Sequence, residues 1–207
     1  MRPVQIRWNR GRPACVRGSM NDDLELIVQR CREGDELAWE ALVRRFQGRV
    51  FGLALHYLRS REEARDAAQE VFIRVWRGLP TFQQDASFLP WLLRITRTTS
   101  IDHLRRRKAR PPAQDLLVED MHDLGDPAPR PDELFETQSR RSLVHRALQQ
   151  IGDMHREILQ LQEIQELPLN EVARILQIPE GTAKSRASRA RAELARSVVR
   201  LQGQGEL

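Results

Sequence analysis

Apolar residues return every three to four positions along most of this chain, which is the spacing of a helix with one buried face. "NDDLELIVQRCREG" reads as a first helix with Asn21 as a capping residue and Gly34 as its stop. The stretch from Asp35 repeats Ala38, Leu42, Phe46, Val50, Leu53 and Tyr57 on one face. Ser60 then caps "REEARDAAQEVFIRVWRGL", with Glu63 three residues on as a capping box and Ala64, Ala68, Val71, Val75 and Leu79 as the core stripe. A further helix starts near Ser87, accepts Pro90 in its first turn, and buries Phe88, Leu92 and Ile95. Near the C-terminus, Pro168 opens "PLNEVARIL", Ile178-Pro179 turns, and Gly181 begins a helix whose buried stripe is Ala183, Ala187, Ala190, Leu194 and Val198. The expected fold class is all-α.

The helical pattern breaks once. Residues 110–136 hold Pro111, Pro112, Pro127, Pro129 and Pro131, each removing a backbone donor and disfavouring helix in the residue before it. This segment is expected to be an acidic, flexible linker between two small helical domains, 21–109 and 137–202. The first twenty residues resemble neither domain and are expected to be a dispensable basic arm, either disordered or upstream of a true start at Met20.

Composition sharpens this layout. The formal net charge of +5 divides into +5 over residues 1–20, +3 over 21–109, −6 over 110–136 and +3 over 137–207, so two mildly basic blocks flank an acidic one. No run approaches the roughly 18 apolar residues of a membrane span, and the N-terminus has no secretory signal. A cytoplasmic protein without direct membrane insertion is expected. Cys15 and Cys31 form no CxxC and the histidines are scattered, which argues against a disulfide framework, a zinc site or any other cofactor. Clustered carboxylates, a P-loop and a nucleophile beside a base are all missing, so the chain is not expected to be an enzyme.

Three helices carry more than their cores require. On the one capped by Ser60, Phe72, Ile73 and Trp76 lie beside the core stripe with Asp66 and Glu70 beyond them, serving either a second side of the bundle or a partner. On the helix from Ser87, Arg94, Arg97, Thr98 and Arg105 share an arc near Phe88 and Trp91, and a basic run follows from Arg105 to Lys108. Cations beside aromatics are the combination that grips phosphates while stacking on unpaired bases, although charge runs are also ordinary solvated faces. In "GTAKSRASRARAEL", Arg186, Arg189, Arg196 and Arg200 form one basic column, Lys184 and Arg191 another, and Ser185, Ser188 and Ala192 lie between. That arrangement in the second helix of a helix-turn-helix suits the major groove.

"DAAQEVFIRVWRGLPTFQQDASFLPWLLRITRTTSIDHLRRR" resembles the second conserved region of bacterial RNA polymerase sigma factors of the extracytoplasmic-function (group IV) type, in the sigma-70 family. "REILQLQEIQELPLNEVARILQIPEGTAKSRASRARAEL" resembles the fourth region of the same group. The resemblance implies an alternative sigma factor that binds core RNA polymerase and promoter DNA, with an anti-sigma factor as a further partner. It places core-polymerase binding at Asp66, Gln69, Glu70 and Phe72, with Trp76 on the same surface. It places minus-ten DNA binding at Phe88, Trp91, Arg94, Arg97, Thr98, Asp102, Arg105 and Arg106. Minus-thirty-five binding falls to Thr182, Lys184, Ser185, Arg186, Ser188, Arg189 and Arg191, and the linker would run through the polymerase interior. Thr98 stands in "RTT" where the family commonly has "RNT", which leaves minus-ten selectivity either to Thr98 or to the loop between Thr81 and Ser87. The alternative reading is an autonomous helix-turn-helix regulator that does not bind core polymerase.

Overall fold

The computed structural model describes residues 20–82, 87–109 and 143–203, and every element within them is helical. The chain divides into two compact units, Met1–Gly125 and Asp126–Leu207. The basic arm before Met20, the linker 110–136 and residues 83–86 of the loop before Ser87 lie outside the described residues.

The first unit contains α1 (Met20–Arg32), α2 (Glu36–Leu58), α3 (Arg61–Gly78) with a 3-10 turn at Leu79–Thr81, and α4 (Phe88–Ala109). Its corners are set by local chemistry. Gly34 takes φ +87°, a conformation costly for any residue with a Cβ, and so ends α1. Asp35 then caps α2 by accepting from the N–H groups of Leu37 (2.9 Å) and Ala38 (3.1 Å), with Arg30 2.6 Å away. The hydrogen bond from Ala38 holds the Asp35 carboxyl below its ordinary pKa, and Arg30 adds to the effect. Arg59 in the left-handed region closes α2, and Ser60 accepts from Glu63 N–H at 3.3 Å to start α3 as the sequence indicates. The Glu63 carboxylate turns elsewhere, receiving Arg107 of α4 at 3.1 Å.

α2, α3 and α4 pack around Leu42, Val50, Leu53, Val71, Val75, Leu92 and Leu93. Ala64, Ala67 and Ala68 of α3 are all fully buried, and such small side chains let helix axes approach closely. The core also takes polar residues that apolar periodicity does not count. Thr96 and Ser100 are buried in α4, each donating its hydroxyl to the carbonyl four residues back, Leu92 (2.9 Å) and Thr96 (2.8 Å). Cys31 is buried beside α2, and burial pushes its thiol up to about 11, which makes it chemically quiet.

The second unit contains α5 (helical over 143–150), α6 (Asp153–Leu159) running into a π-helical turn at Gln160–Ile164, α7 (Leu169–Leu176) and α8 (Glu180–Gly203). Pro168 stands just before α7 rather than inside it, with its carbonyl accepting from Val172 N–H. Gln177 at φ 56° ends α7, and Pro179 supplies the carbonyl for Ala183 N–H, completing a helix-turn-helix. The buried stripe of α8 is Ala183, Ala187, Ala190, Ser197 and Leu201, whereas Leu194 and Val198 are only half-buried. Spacings of alternately three and four residues keep one face, so the line continues through Ser197 and passes Val198 by.

One carboxylate fastens α8 to α6. The N-terminus of α6 follows Gly152, which has no side chain with which to cap it. Glu193 of α8 performs that task from a distance, accepting from Gly152 N–H at 3.3 Å and pairing with Nδ1 of His155. The hydrogen bond from His155 outweighs the cost of burial and holds Glu193 below its ordinary pKa, with the Gly152 N–H adding to it. Because the folded-state pKa is the lower one, this stabilisation is complete above the ordinary carboxylate pKa and vanishes as pH falls through the depressed value. Thermal melting of Glu193→Gln should therefore show a lower midpoint than wild type at neutral pH, with the two converging in acid. Equal midpoints at neutral pH would show that the cap contributes nothing.

Candidate functional site

The outer face of α3 carries Asp66 and Gln69, both exposed, and Ile73, which is 51% exposed. Trp76 is half-buried, its ring meeting Trp39 of α2 edge-on at 4.9 Å. For Phe72, the structure decides between the two readings the sequence leaves open in favour of the bundle side. Phe72 is only 2% exposed and packs in the core against Trp39 at 6.3 Å. α3 packs on both α2 and α4, so its buried stripe is wider than the Ala64–Leu79 line and takes in the neighbouring positions Ala67 and Phe72. Glu70 is also less open than a surface carboxylate, for Arg74, His103 and Arg106 all reach it.

On α4, Phe88 is buried as its core stripe predicts, which removes it from the minus-ten contacts that the resemblance implies. Phe88 is 5% exposed and sits among Phe46 (5.3 Å), Phe82 (5.8 Å) and Trp91 (5.7 Å), so it builds the aromatic floor and offers no face to a base. Trp91 is half-exposed above that floor. Gly78 makes room for its ring, since a Cβ there would stand 3.1 Å from Cζ2 of Trp91. Trp91, Arg74, Arg94, Ile95 and Thr98 line a shallow cavity of about 250 Å³. Thr98 is exposed at its rim, and its hydroxyl donates to the Arg94 carbonyl at 3.0 Å, leaving the oxygen as an acceptor beside a methyl group. Arg97 is half-buried and engaged within the protein, while Asp102 is half-buried with Arg74 at 3.4 Å. Arg105 and Arg106 are exposed further along. Arg107 is structural, donating to the Leu58 carbonyl (3.3 Å) and to Glu63.

The first turns of α8 show the small centre and basic flanks expected. Thr182, Lys184, Ser185, Ser188 and Arg189 are exposed, and Arg186 is half-exposed. Among the described residues Lys184, Arg186 and Arg189 have no anionic side chain in salt-bridge range, whereas Arg191 donates Nε to Glu163 at 2.8 Å. Ser185 donates to the Thr182 carbonyl at 3.0 Å and so sits close to its own helix.

Residues 42–110 match the family described as Sigma-70 region 2, and residues 141–194 match Sigma-70, region 4. The chain is 35% identical to the RNA polymerase sigma-H factor of Pseudomonas aeruginosa over 170 residues, covering 80% of this chain and 88% of that protein. It is 32% identical to the ECF RNA polymerase sigma-E factor of Escherichia coli K12 over 172 residues, covering 81% and 90%. This chain belongs to the extracytoplasmic-function group of sigma-70 family sigma factors. Among solved structures, its fold is similar to CnrH in a complex with the cytosolic domain of CnrY, with a TM-score of 0.58, 22% identity, and 83% of this chain and 94% of that one covered.

In this sigma factor the region-two match spans the face of α3 and the cavity of α4, and the region-four match spans the helix-turn-helix. Two residues now stand at the α3–α4 seam that the sequence reading did not single out, Arg74 and His103. Arg74 is four residues from Glu70, a helical ion-pair spacing visible in sequence, whereas His103 meets Glu70 only through the packing of α4 on α3.

The inward placement of Phe72 has a direct consequence. Phe72→Ala should lower unfolding stability by about 3–5 kcal/mol, the cost of emptying a packed aromatic site. Ile73→Ser, on the exposed face, should change it by less than about 1 kcal/mol. Chemical denaturation of both variants checks this, and equal small effects would return Phe72 to the surface.

Proposed function

We propose that this sigma factor binds core RNA polymerase through the outer face of α3, with Asp66, Gln69, Ile73 and Trp76 as the contact residues, and directs promoter-specific initiation. The polymerase and minus-ten functions are assigned to residues 21–109, the minus-thirty-five function to 137–202, and residues 110–136 join them as an acidic segment. In the minus-ten step, an unstacked base would enter the cavity lined by Trp91, Arg94, Ile95 and Thr98 and stack on the indole, while Arg105 and Arg106 take phosphates. In the minus-thirty-five step, α8 would enter the major groove. Lys184, Arg186 and Arg189 would reach phosphates or guanine edges, and Ser185 and Ser188 would admit the groove wall. The observation that carries the reading is the presence, in one chain, of the region-two bundle and a helix-turn-helix in whose second helix Lys184, Arg186 and Arg189 have no anionic side chain in salt-bridge range among the described residues.

An anti-sigma protein is proposed as a further partner. Support comes from a fold relative, the sigma factor RpoE of Bartonella quintana, solved in complex with the anti-sigma factor NepR. We assign the working site to the cytoplasm, where core polymerase is; no helix among the described residues is long and apolar enough to cross a membrane.

In a reconstituted assay, core polymerase with this protein should initiate at defined promoters and core alone should not. DNA binding without any association with core would favour an autonomous regulator. Arg189→Ala should cost about 1–3 kcal/mol at minus-thirty-five-dependent promoters if the side chain reads a base, relaxing preference at one position. A uniform loss with a salt slope reduced by about 1 would make it a phosphate contact, and no change at all would remove it from the interface.

Thr98 yields a separate expectation. With its proton given to Arg94, it offers one acceptor and a methyl group, whereas Asn would present a donor and an acceptor to a base edge. Thr98→Asn should narrow base preference across a randomised minus-ten library and leave core binding intact. Identical preferences would shift selectivity to the loop between Thr81 and Ser87.

A further inference from the structure

α8 is held to α6 from both flanks of its alanine stripe. On one side Glu193 accepts from Gly152 N–H at 3.3 Å and pairs with His155, both at the start of α6. On the other, Nε of Arg191 donates to Glu163 at 2.8 Å, within the π-helical turn that ends the same helix. Arg191 and Glu193 are two positions apart, about 200° around a helix of 3.6 residues per turn, so they leave α8 on opposite sides of the line through Ala187 and Ala190. The Glu163 carboxylate stands on firm backbone. Leu161 is fully buried, Gln165 N–H donates to the Gln160 carbonyl five residues back (3.0 Å), and Leu167 N–H donates to the Leu161 carbonyl (3.2 Å). Arg189 is likewise two positions from Arg191, so the two arginines point to nearly opposite sides and cannot both face the floor of one groove. Arg189 is exposed with no anionic side chain in salt-bridge range among the described residues, whereas Arg191 is tied back to its own unit.

We propose that Arg191 and Glu163 are positioning residues for minus-thirty-five recognition: their pair, opposed across α8 by Glu193, fixes the roll of the helix and so turns Ser185 and Arg189 to the groove. This rests on the minus-thirty-five reading of α8 given above, and it takes Arg191 out of the DNA contacts that the family resemblance implies. A roll of α8 in either direction lifts one flank from α6 and stretches one of the two attachments. The alanine methyl groups between them permit close approach but give little leverage against such a roll. Recognition side chains work only within about 10–20° of their productive orientation, and contacts to base edges need that precision more than contacts to phosphates do. Loss of the pair therefore falls on base preference before it falls on total affinity. The side chains of Arg191 and Glu163 are 53% and 48% exposed, and an ion pair so open to water adds little to folding stability, so its loss leaves the unit folded.

Glu163→Gln, Arg191→Gln and the double variant test this in holoenzyme assembled with core polymerase, on promoters with a fixed minus-ten element and a randomised minus-thirty-five element. Each single variant should lower discrimination between the preferred and base-substituted elements about twofold to fivefold, the range an exposed pair can supply. The double variant should match either single one, because the pair is broken only once. Discrimination is a ratio, so a general gain in DNA affinity from removing the Glu163 charge cancels from it. The salt slope of promoter binding should stay at the wild-type value in Arg191→Gln. A slope reduced by about 1 in that variant would make Arg191 a phosphate contact and overturn the proposal, whatever Glu163→Gln does. Unchanged discrimination in both single variants would also overturn it, leaving an incidental surface pair. Unfolding of both at the assay temperature, read by thermal melting, would overturn it in favour of a purely structural role. A wild type with no minus-thirty-five preference to lose would overturn the functional reading itself and this proposal with it, a result distinct from all the others.

Discussion

The working surfaces of this sigma factor depend on close helix contacts made by alanine. In α3, Ala64, Ala67 and Ala68 are wholly buried, and in α8 Ala183, Ala187 and Ala190 take the same part. A helix seated on such a seam approaches its neighbours at the short end of the usual 8–10 Å range, and every long side chain it carries must then leave by the other faces. Larger residues along the seam would push the axis outward and reset the height of all the groups displayed on it. Alanine also suits helix formation intrinsically, so the same residues that allow the approach favour the helices that make it.

Charge on the outward faces is then divided between groups that are paired within the protein and groups that are not. Arg107, Arg156 and Arg174 are spent on structure, binding Glu63 and a carbonyl, Asp153 and several carbonyls, and Glu171. Lys184, Arg186 and Arg189 have no such anion within range among the described residues. Like charges held together on one helix repel modestly in water and release counterions when a phosphate replaces them, so under the proposed minus-thirty-five function their cost in the free protein would become affinity in the complex. The seam of α3 and α4 follows a middle course: Arg105 is exposed, Arg106 is shared with Glu70, and Arg74 is tied to Glu70 at the wall of the cavity beside Trp91.

Much of this was legible from residue spacing. The helices, the start of α2 at Asp35, the cap at Ser60, the helix-turn-helix and the basic columns of α8 all follow from local patterns, because each depends on residues within about one turn of one another. The burial of Phe88 was legible in its core stripe, but which side of the helix Phe72 serves was not, since an amphipathic stripe shows that a residue is apolar but not how many neighbours its helix will have. Thr96 and Ser100 escaped for the opposite reason: polar residues buried by bonding back to their own helix do not enter an apolar count. The His103–Glu70 and Glu193–Gly152 contacts join residues more than thirty positions apart, where only the packed structure brings the partners together.

The central claim is that α8 sits on its alanine seam so as to present residues 182–189 to DNA and to keep the opposite end of the helix away from it. A photoreactive amino acid placed singly at Ser185, Ser188 and Val199, in holoenzyme bound to a promoter, measures this directly. Crosslinks to the minus-thirty-five element from Ser185 and Ser188 but not from Val199 are expected. Crosslinking from Val199 alone, or from none of the three in a complex that still initiates, would contradict the account.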